Sequence, residues 1–488
     1  MMSDTNYPLL IRPIMASLSA RISMLYAVQT RTTRRERLCS ALRQAISEGS
    51  LPAESRLPSS RLLAAELTLS RVTVEAAYGQ LESEGYLRRT TGQGTFVAIR
   101  MRPPAADKET AALPFTPSTR AAAVVASGGC QDPPFPYAFA AGSPELRAFP
   151  HEQWRRIAAR QQKLHGNALM RYGDPQGWLP LRQALSTYLG QARGVRCKPE
   201  QLIVLTSSQQ ALQMLALLLL DSGEEVWMEN PGYPGARHAF QSAGARVTGV
   251  AVDAQGALPG DGAPRLIYLT PSHQYPLGSA LSLERRLAWL ALAEKRQSWI
   301  IEDDYDSEFW YDAQPMPAMQ GLAPQRTIYL GTFSKSLFPS LRLAWMVVPE
   351  PLVTPLIRLR SVMDGHSAQL PQAVTAAFIE QGHYAAHLRL MRQLYHSRRD
   401  LLQERLSALL PDQLELLPCR GGLQMTVLLR EGDEADLTAR AAAQQLLLPR
   451  LASCWLNQPP QQQGWLLGFS ALERAEIISG VNRLATLF

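Results

Sequence analysis

The sequence predicts a multidomain chain: a small N-terminal unit of helices and one hairpin, followed by a larger α/β body around a mainly parallel sheet. Three observations lead there. With 488 residues, 46% hydrophobic and 19% charged, the chain can bury two or three substantial cores. Charge is divided unevenly: residues 1–102 hold 14 arginines, no lysine and 8 acidic residues, a net +6 against +7 for the whole chain. A basic module on a nearly neutral body points to nucleic acid at one end and a different task at the other. Between them, residues 101–136 are rich in Pro and Ala, with Pro103-Pro104, Pro133-Pro134 and Gly128-Gly129, and show no hydrophobic period. Such a stretch reads as a semi-rigid linker.

Residues 1–30 read as a loose N-terminal extension, because Arg12 and Arg21 interrupt its apolar patches before a signal-peptide core can form. Met15 and Met24 stand as alternative starts. The run Leu215–Leu220 is far too short to cross a membrane and reads as buried helix. Cys39, Cys130, Cys197, Cys419 and Cys454 are scattered without metal-ligand spacing, which predicts reduced thiols and a cytoplasmic protein.

Within residues 31–100, Leu38, Leu42, Ala45 and Ile46 share one face of a helix over Arg34–Glu48, which Gly49 ends. Pro58-Ser59-Ser60 opens a second helix. Ser70 opens a third, in which Val74, Ala77, Tyr78 and Leu81 face inward while Arg71 and Thr73 face outward at its start. Two short β-type runs flank Thr91-Gly92-Gln93-Gly94 as a hairpin. Helix, helix–turn–helix and hairpin make a winged helix. Such a unit sets the start of its third helix against base edges, where Arg71 can fork onto a guanine and Ser70 and Thr73 can reach phosphate or base. Gly92 and Gly94 let the wing backbone come close to the duplex.

In residues 137–488, helix and strand patterns alternate. The focal stretch is Gly331-Thr-Phe-Ser-Lys335-Ser-Leu-Phe-Pro-Ser-Leu-Arg342, between two apolar runs. It reads as strand, tight loop, strand, with Lys335 presented from the loop. An amine for imine formation, donors for a phosphate dianion (Thr332, Ser334, Arg342) and an acid at the end of Ile300-Ile-Glu-Asp303-Asp-Tyr305 are the groups that pyridoxal 5'-phosphate (PLP) chemistry requires.

These residues resemble the lysine loop of fold-type I aminotransferases, and specifically the MocR regulators, which fuse that fold to a GntR-type winged helix. Leu57-Pro-Ser-Ser-Arg61, Ser70-Arg71-x-Thr73-Val and the wing's Gly-x-Gly-Thr-Phe-Val are similar to GntR proteins throughout. The resemblance assigns Arg61, Arg71 and Thr73 to DNA; Glu54 and Val72 depart from it, where a turn glycine and a polar residue are common. In the body it covers Phe139-Ala-Ala-Gly142-Ser-Pro144 and Arg171-Tyr-Gly-Asp-Pro175. It places Ser208 and Gln209 in the phosphate cup, with Ser207 where Gly is usual, and Tyr233 over the pyridine face. Asp303, 32 residues before Lys335, becomes the ring-nitrogen partner in preference to Asp304, and Tyr305 the partner of the ring hydroxyl. Tyr275 stands beside that hydroxyl, where catalytic members carry Asn. In transaminases an arginine before the strand Trp465–Ser470 clamps the substrate carboxylate; here the position is Leu466 or Leu467, with Arg450 on a neighbouring loop as the only substitute considered.

The resemblance thus implies a winged helix-turn-helix joined to a fold-type I PLP domain with a small C-terminal α+β subdomain. It further implies PLP held as a Schiff base on Lys335, with PLP or its aldimine with an amine or amino acid as effector. A homodimer, a double-stranded DNA operator with two half-sites and no membrane partner complete the expectation. Two other readings stand beside it: a PLP-dependent aminotransferase with an accessory DNA-binding head, and a scaffold that has lost PLP.

Overall fold

The computed structural model describes residues 11–30, 33–98, 115–126, 129, 138–311, 316–456 and 460–488. They fall into two compact units, residues 1–116 and 117–488. Most of the expected linker, and Cys130, lie outside the described residues.

The first unit contains α1 (Ile11–Val28), α2 (Arg34–Ser47), α3 (Ser60–Glu66), α4 (Arg71–Ser83) and the antiparallel pair β1 (Leu87–Thr90) and β2 (Gly94–Val97). Each expected helix starts where a hydroxyl can cap it: Thr33 in a capping box with Glu36, Ser59 on Leu62 N–H, Ser70 on Thr73 N–H. The inward faces meet as expected, with Leu38, Leu42, Ala45, Ile46, Val74, Ala77, Tyr78 and Leu81 all buried in one core.

The loose N-terminal extension is corrected in part. Residues 11–28 form a helix whose Leu18 and Ile22 enter that same core. Arg37 stacks over Tyr26 at 4.6 Å and donates to its carbonyl at 3.2 Å, and Gln29 donates to Gln44 at 2.9 Å. Leu18, Ile22, Leu25 and Tyr26 have helical spacing, but their stripe has no polar opposite face strong enough to mark it in the sequence. Glu54, where a turn glycine was expected, adopts φ +65 and pairs with Arg88 on the hairpin.

The second unit begins with a short helix that the linker reading did not foresee, α5 (Thr119–Ala126). Two longer helices follow, α6 (His151–His165) and α7 (Leu179–Arg193). Then come β3 (Leu202–Leu205), α8 (Ser208–Leu219), β4 (Glu225–Asn230), α9 (Pro234–Ser242), β5 (Arg246–Asp253), β6 (Gly256–Ala257) and β7 (Leu266–Leu269). They continue into α10 (Leu283–Arg296), β8 (Trp299–Asp303), β9 (Thr327–Thr332), the one-turn α11 (Phe333–Ser336) and β10 (Ala344–Val347).

These eight strands, β3 to β10, form one sheet in the order β3-β10-β9-β8-β7-β4-β5-β6. The run from β9 to β5 is parallel, and β10 is antiparallel to both neighbours. Strands β3, β7, β9 and β10 are buried along their whole length, as expected of a sheet covered on both faces. A smaller antiparallel sheet joins β11 (Leu414–Leu416), β12 (Gln424–Leu429) and β13 (Gly464–Gly468). It is the C-terminal α+β subdomain, since the sequence surrounding it is helical.

Register decides where chemistry can collect. Leu205 pairs with Ala344, and Ala344 with Thr332, while Asp303 pairs with Leu330. The segments after β3, β8 and β9 and before β10 therefore emerge at one edge. This is the carboxyl edge of a parallel sheet, where α/β folds bind ligands.

Candidate functional site

Lys335 sits on the one-turn helix α11 where the sequence suggested a tight loop. Thr332 caps that turn: its hydroxyl accepts from Ser334 N–H at 3.1 Å and donates to the Ser334 hydroxyl at 3.1 Å. Thr332, expected as a phosphate donor, is thus buried and spent on holding the lysine turn. Ser334 keeps its own hydroxyl hydrogen for another acceptor. The Lys335 ammonium donates to the Gly142 carbonyl at 2.9 Å. Gly142 has φ +69, which favours glycine, and a Cβ there would stand 2.8 Å from Lys335 Nζ and displace the end of the lysine side chain.

Two adjacent carboxylates at the end of β8 are in different states. Asp304 lies in a buried ion pair with Arg193 at 2.8 Å and accepts from Tyr329 at 2.6 Å. Burial alone would raise its pKa, but Arg193, Tyr329 and Ser307 together hold it below the usual range. Asp303 has no cation beside it among the described residues. Burial pushes its pKa up to about 7, against the pull of the Tyr268 hydroxyl, which donates to Oδ2 at 2.7 Å. Its Oδ1 is buried and accepts no hydrogen bond. A buried acceptor without a donor is costly and calls for one. Asp304 Oδ1 is likewise buried without a donor, so the preference for Asp303 as the group left for a ligand rests on the cation, since Asp304 is already paired with Arg193.

Rings line the same edge. Tyr275 is edge-on to Tyr233 at 5.5 Å and to Tyr305 at 6.1 Å. His273 lies nearly parallel to Tyr305 at 6.2 Å and 3.2 Å from both carboxylate oxygens of Asp306. Burial lowers the His273 pKa, but Asp306 more than compensates and raises it. Below them Glu229 is buried and accepts from the Thr270 N–H and hydroxyl, with burial raising its pKa to about 8.

At the β3 end, Ser207 is the N-cap of α8, accepting from Gln210 N–H at 3.1 Å. Ser208 and Gln209 fall in the first turn, where backbone N–H groups lack helical partners and favour anions. The Gln209 side-chain amide donates one of its two hydrogens to Gly235 O at 2.9 Å. Arg342 is exposed at φ +51 just before β10.

Arg450, the substitute clamp, is paired at 2.7 Å with Glu434, whose side chain is 1% exposed. Leu466 and Leu467, both within β13, are buried, so the expected clamp position is apolar. Sequence reasoning missed Tyr268, Arg193 and the Gly142 carbonyl as partners of the site.

In the first unit, Arg61, Ser70, Arg71 and Gly92 are exposed. Ser70 and Thr73 bond to each other at 2.8 Å and cap α4, so their hydroxyls are shared with the helix start. Val72 is 78% exposed beside Arg71. Gly92 and Gly94 take φ +77 and +116, and a Cβ on Gly94 would stand 2.9 Å from Arg56 Nε, so the hairpin itself needs these glycines.

A family model of bacterial regulatory proteins, gntR family, matches residues 34–97, and one of aminotransferase class I and II matches residues 139–458. The chain is 37% identical over 454 residues to the probable rhizopine catabolism regulatory protein MocR of Rhizobium meliloti, covering 92% of each. It is 32% identical to the pyridoxine biosynthesis transcriptional regulator PdxR of Corynebacterium glutamicum, over 83% of this chain and 85% of that one. The body is similar to LysN, an alpha-aminoadipate aminotransferase of Thermus thermophilus solved with N-(5'-phosphopyridoxyl)-L-leucine. That match has a TM-score of 0.66 at 28% identity, over 72% of this chain and 91% of that one. No helix among the described residues is long and apolar enough to cross a membrane. The chain belongs to the MocR-type transcriptional regulators, in which a GntR helix-turn-helix domain is followed by an aminotransferase class I/II domain.

Proposed function

We propose that this regulator carries PLP on Lys335 and that the state of this site sets its affinity for DNA. The observation that carries the reading is Asp303 Oδ1, a buried acceptor without a donor on the same sheet edge as the lysine amine. A protonated pyridine nitrogen is the donor such an oxygen suits. Bound there, PLP supplies an aldehyde carbon that Lys335 and other primary amines can occupy in turn, conjugated to an electron-withdrawing ring.

The residues have separate tasks in this reading. Asp303 holds the ring nitrogen, kept in place by the Tyr268 hydroxyl. Tyr305 and Tyr275 flank the ring hydroxyl and Tyr233 covers a ring face. Ser334, Arg342 and the first-turn backbone of Ser208 and Gln209 take the phosphate. Arg61, Arg71 and Thr73, with the wing at Gly92 and Gly94, meet the operator. A ligand shifts the heads only by its differential affinity for the body's conformations.

A homodimer is part of the proposal. Large apolar side chains stand exposed on the body at Tyr172 (98%), Met170 (85%) and Val362 (84%). Tyr172 lies edge-on to His366 at 6.2 Å, which brings these segments onto one patch. Such a patch suits a second copy. Two heads per dimer then require two half-sites in the operator.

Purified protein given PLP should show the visible absorbance of covalently held PLP, and Lys335→Ala should abolish it without unfolding the chain. Identical spectra for the two proteins would remove Lys335 from this role.

A further inference from the structure

Resting on the PLP reading, we infer that the amine this site captures is a neutral-bodied primary amine and not an α-amino acid. The argument starts at the lysine. Its amine donates to Gly142, and the preceding Ala141 packs against an apolar cluster whose buried members are Leu428, Leu451, Cys454 and Leu466. Tyr275 packs on the same cluster and turns its ring toward Tyr233 and Tyr305. Leu428 on β12 and Leu466 on β13, 8% and 1% exposed, thus belong to an apolar cluster that touches both Ala141, next to Gly142, and Tyr275 of the ring cluster.

Among the described residues, Arg450 and Arg237 beside this cluster already hold other partners. Arg450 pairs with Glu434, and that carboxylate also accepts from Ala452 N–H at 3.1 Å and Gly464 N–H at 3.0 Å. Arg237 donates to Trp455 O at 2.9 Å and Ser453 O at 3.3 Å, pinning the segment after Arg450. A carboxylate on the amine-bearing carbon would lose its water against leucine side chains without gaining a bidentate partner. A hydrocarbon or other uncharged group would gain by the same contact. Gln424, whose Oε1 lies 3.9 Å from the Cβ position of Gly142, offers a neutral polar contact beside the lysine.

Capture needs no further reagent. The incoming nitrogen bonds to the PLP aldehyde carbon as the Lys335 nitrogen leaves it, and the two N–H hydrogens of the amine finish on Lys335. The cofactor's oxidation state is unchanged.

The test is a visible-absorbance titration of the PLP-loaded full-length protein with 3-methylbutylamine and, in parallel, L-leucine, which differs by the carboxylate. The amine should half-saturate at a concentration at least ten-fold lower. Leu466→Arg, which puts a guanidinium into this cluster, should reverse the order. Should that variant misfold, the wild-type pair still decides: L-leucine binding as tightly as the amine, or more tightly, overturns the inference. A protein that shows no PLP absorbance before any titrant overturns the PLP reading itself, and this inference with it.

Discussion

Arg193→Met destabilises the second unit by about 3–5 kcal/mol, the usual cost of removing one partner of a buried ion pair. The arginine side chain is 4% exposed and Asp304 1%, so little water can replace the lost guanidinium. Arg193 also donates to Ser272 Oγ at 2.7 Å and Met316 O at 3.1 Å. One residue therefore ties Asp304, next to Asp303 at the end of β8, to Ser272 in the segment that carries His273 and Tyr275. Without it Asp304 must take a proton, and Arg193→Met should be rescued in part by Asp304→Asn, because the uncompensated charge is then gone. Urea unfolding followed through the body's tryptophans reads the effect. A loss under about 1 kcal/mol would mean that the pair is not what holds this edge.

The second large effect belongs to the other unit. Arg71→Ala should weaken binding to the protein's own upstream DNA by about 1–3 kcal/mol and relax the base preference at one position in each half-site. Arg71 stands exposed at the first position of α4, and the hydroxyl of its neighbour Ser70 caps the helix by accepting from Thr73 N–H. Arg61→Ala should weaken binding more evenly across sequences and lower its salt dependence, as a phosphate contact does. Equal losses on specific and unrelated duplexes for Arg71→Ala would take base reading away from it.

What could be read in the sequence was local. The capped helices, the hairpin with its glycines and the strand ending in Asp303 each fit within a dozen residues and form where the sequence puts them, while the lysine lies on a helical turn where a tight loop was expected. What could not be read joins distant parts. Tyr268 meets Asp303 across 35 residues, Arg193 meets Asp304 across 111, and Gly142 meets Lys335 across 193. Side-chain spacing carries no signal of such pairs, so adjacent carboxylates looked alike until one was found neutralised by arginine and the other only by a phenol. The helix at residues 11–28 was missed for a different reason, since its stripe lies between arginines that suggested an interrupted tail. A hydroxyl before a lysine serves a phosphate or a helix start equally well from sequence alone, and in the structure Thr332 caps the lysine turn.

The central claim is that the state of the Lys335 site sets DNA affinity. The most direct measurement is the affinity of the full chain for its own upstream region, by fluorescence anisotropy at fixed salt, first without PLP and then with PLP titrated. Wild type should change affinity with PLP, half-complete at the concentration where its visible absorbance is half-complete, and Lys335→Ala should lose the coincidence. The same affinity at every PLP concentration, in a protein that binds both PLP and DNA, would contradict the account and leave the body as a dimerising scaffold.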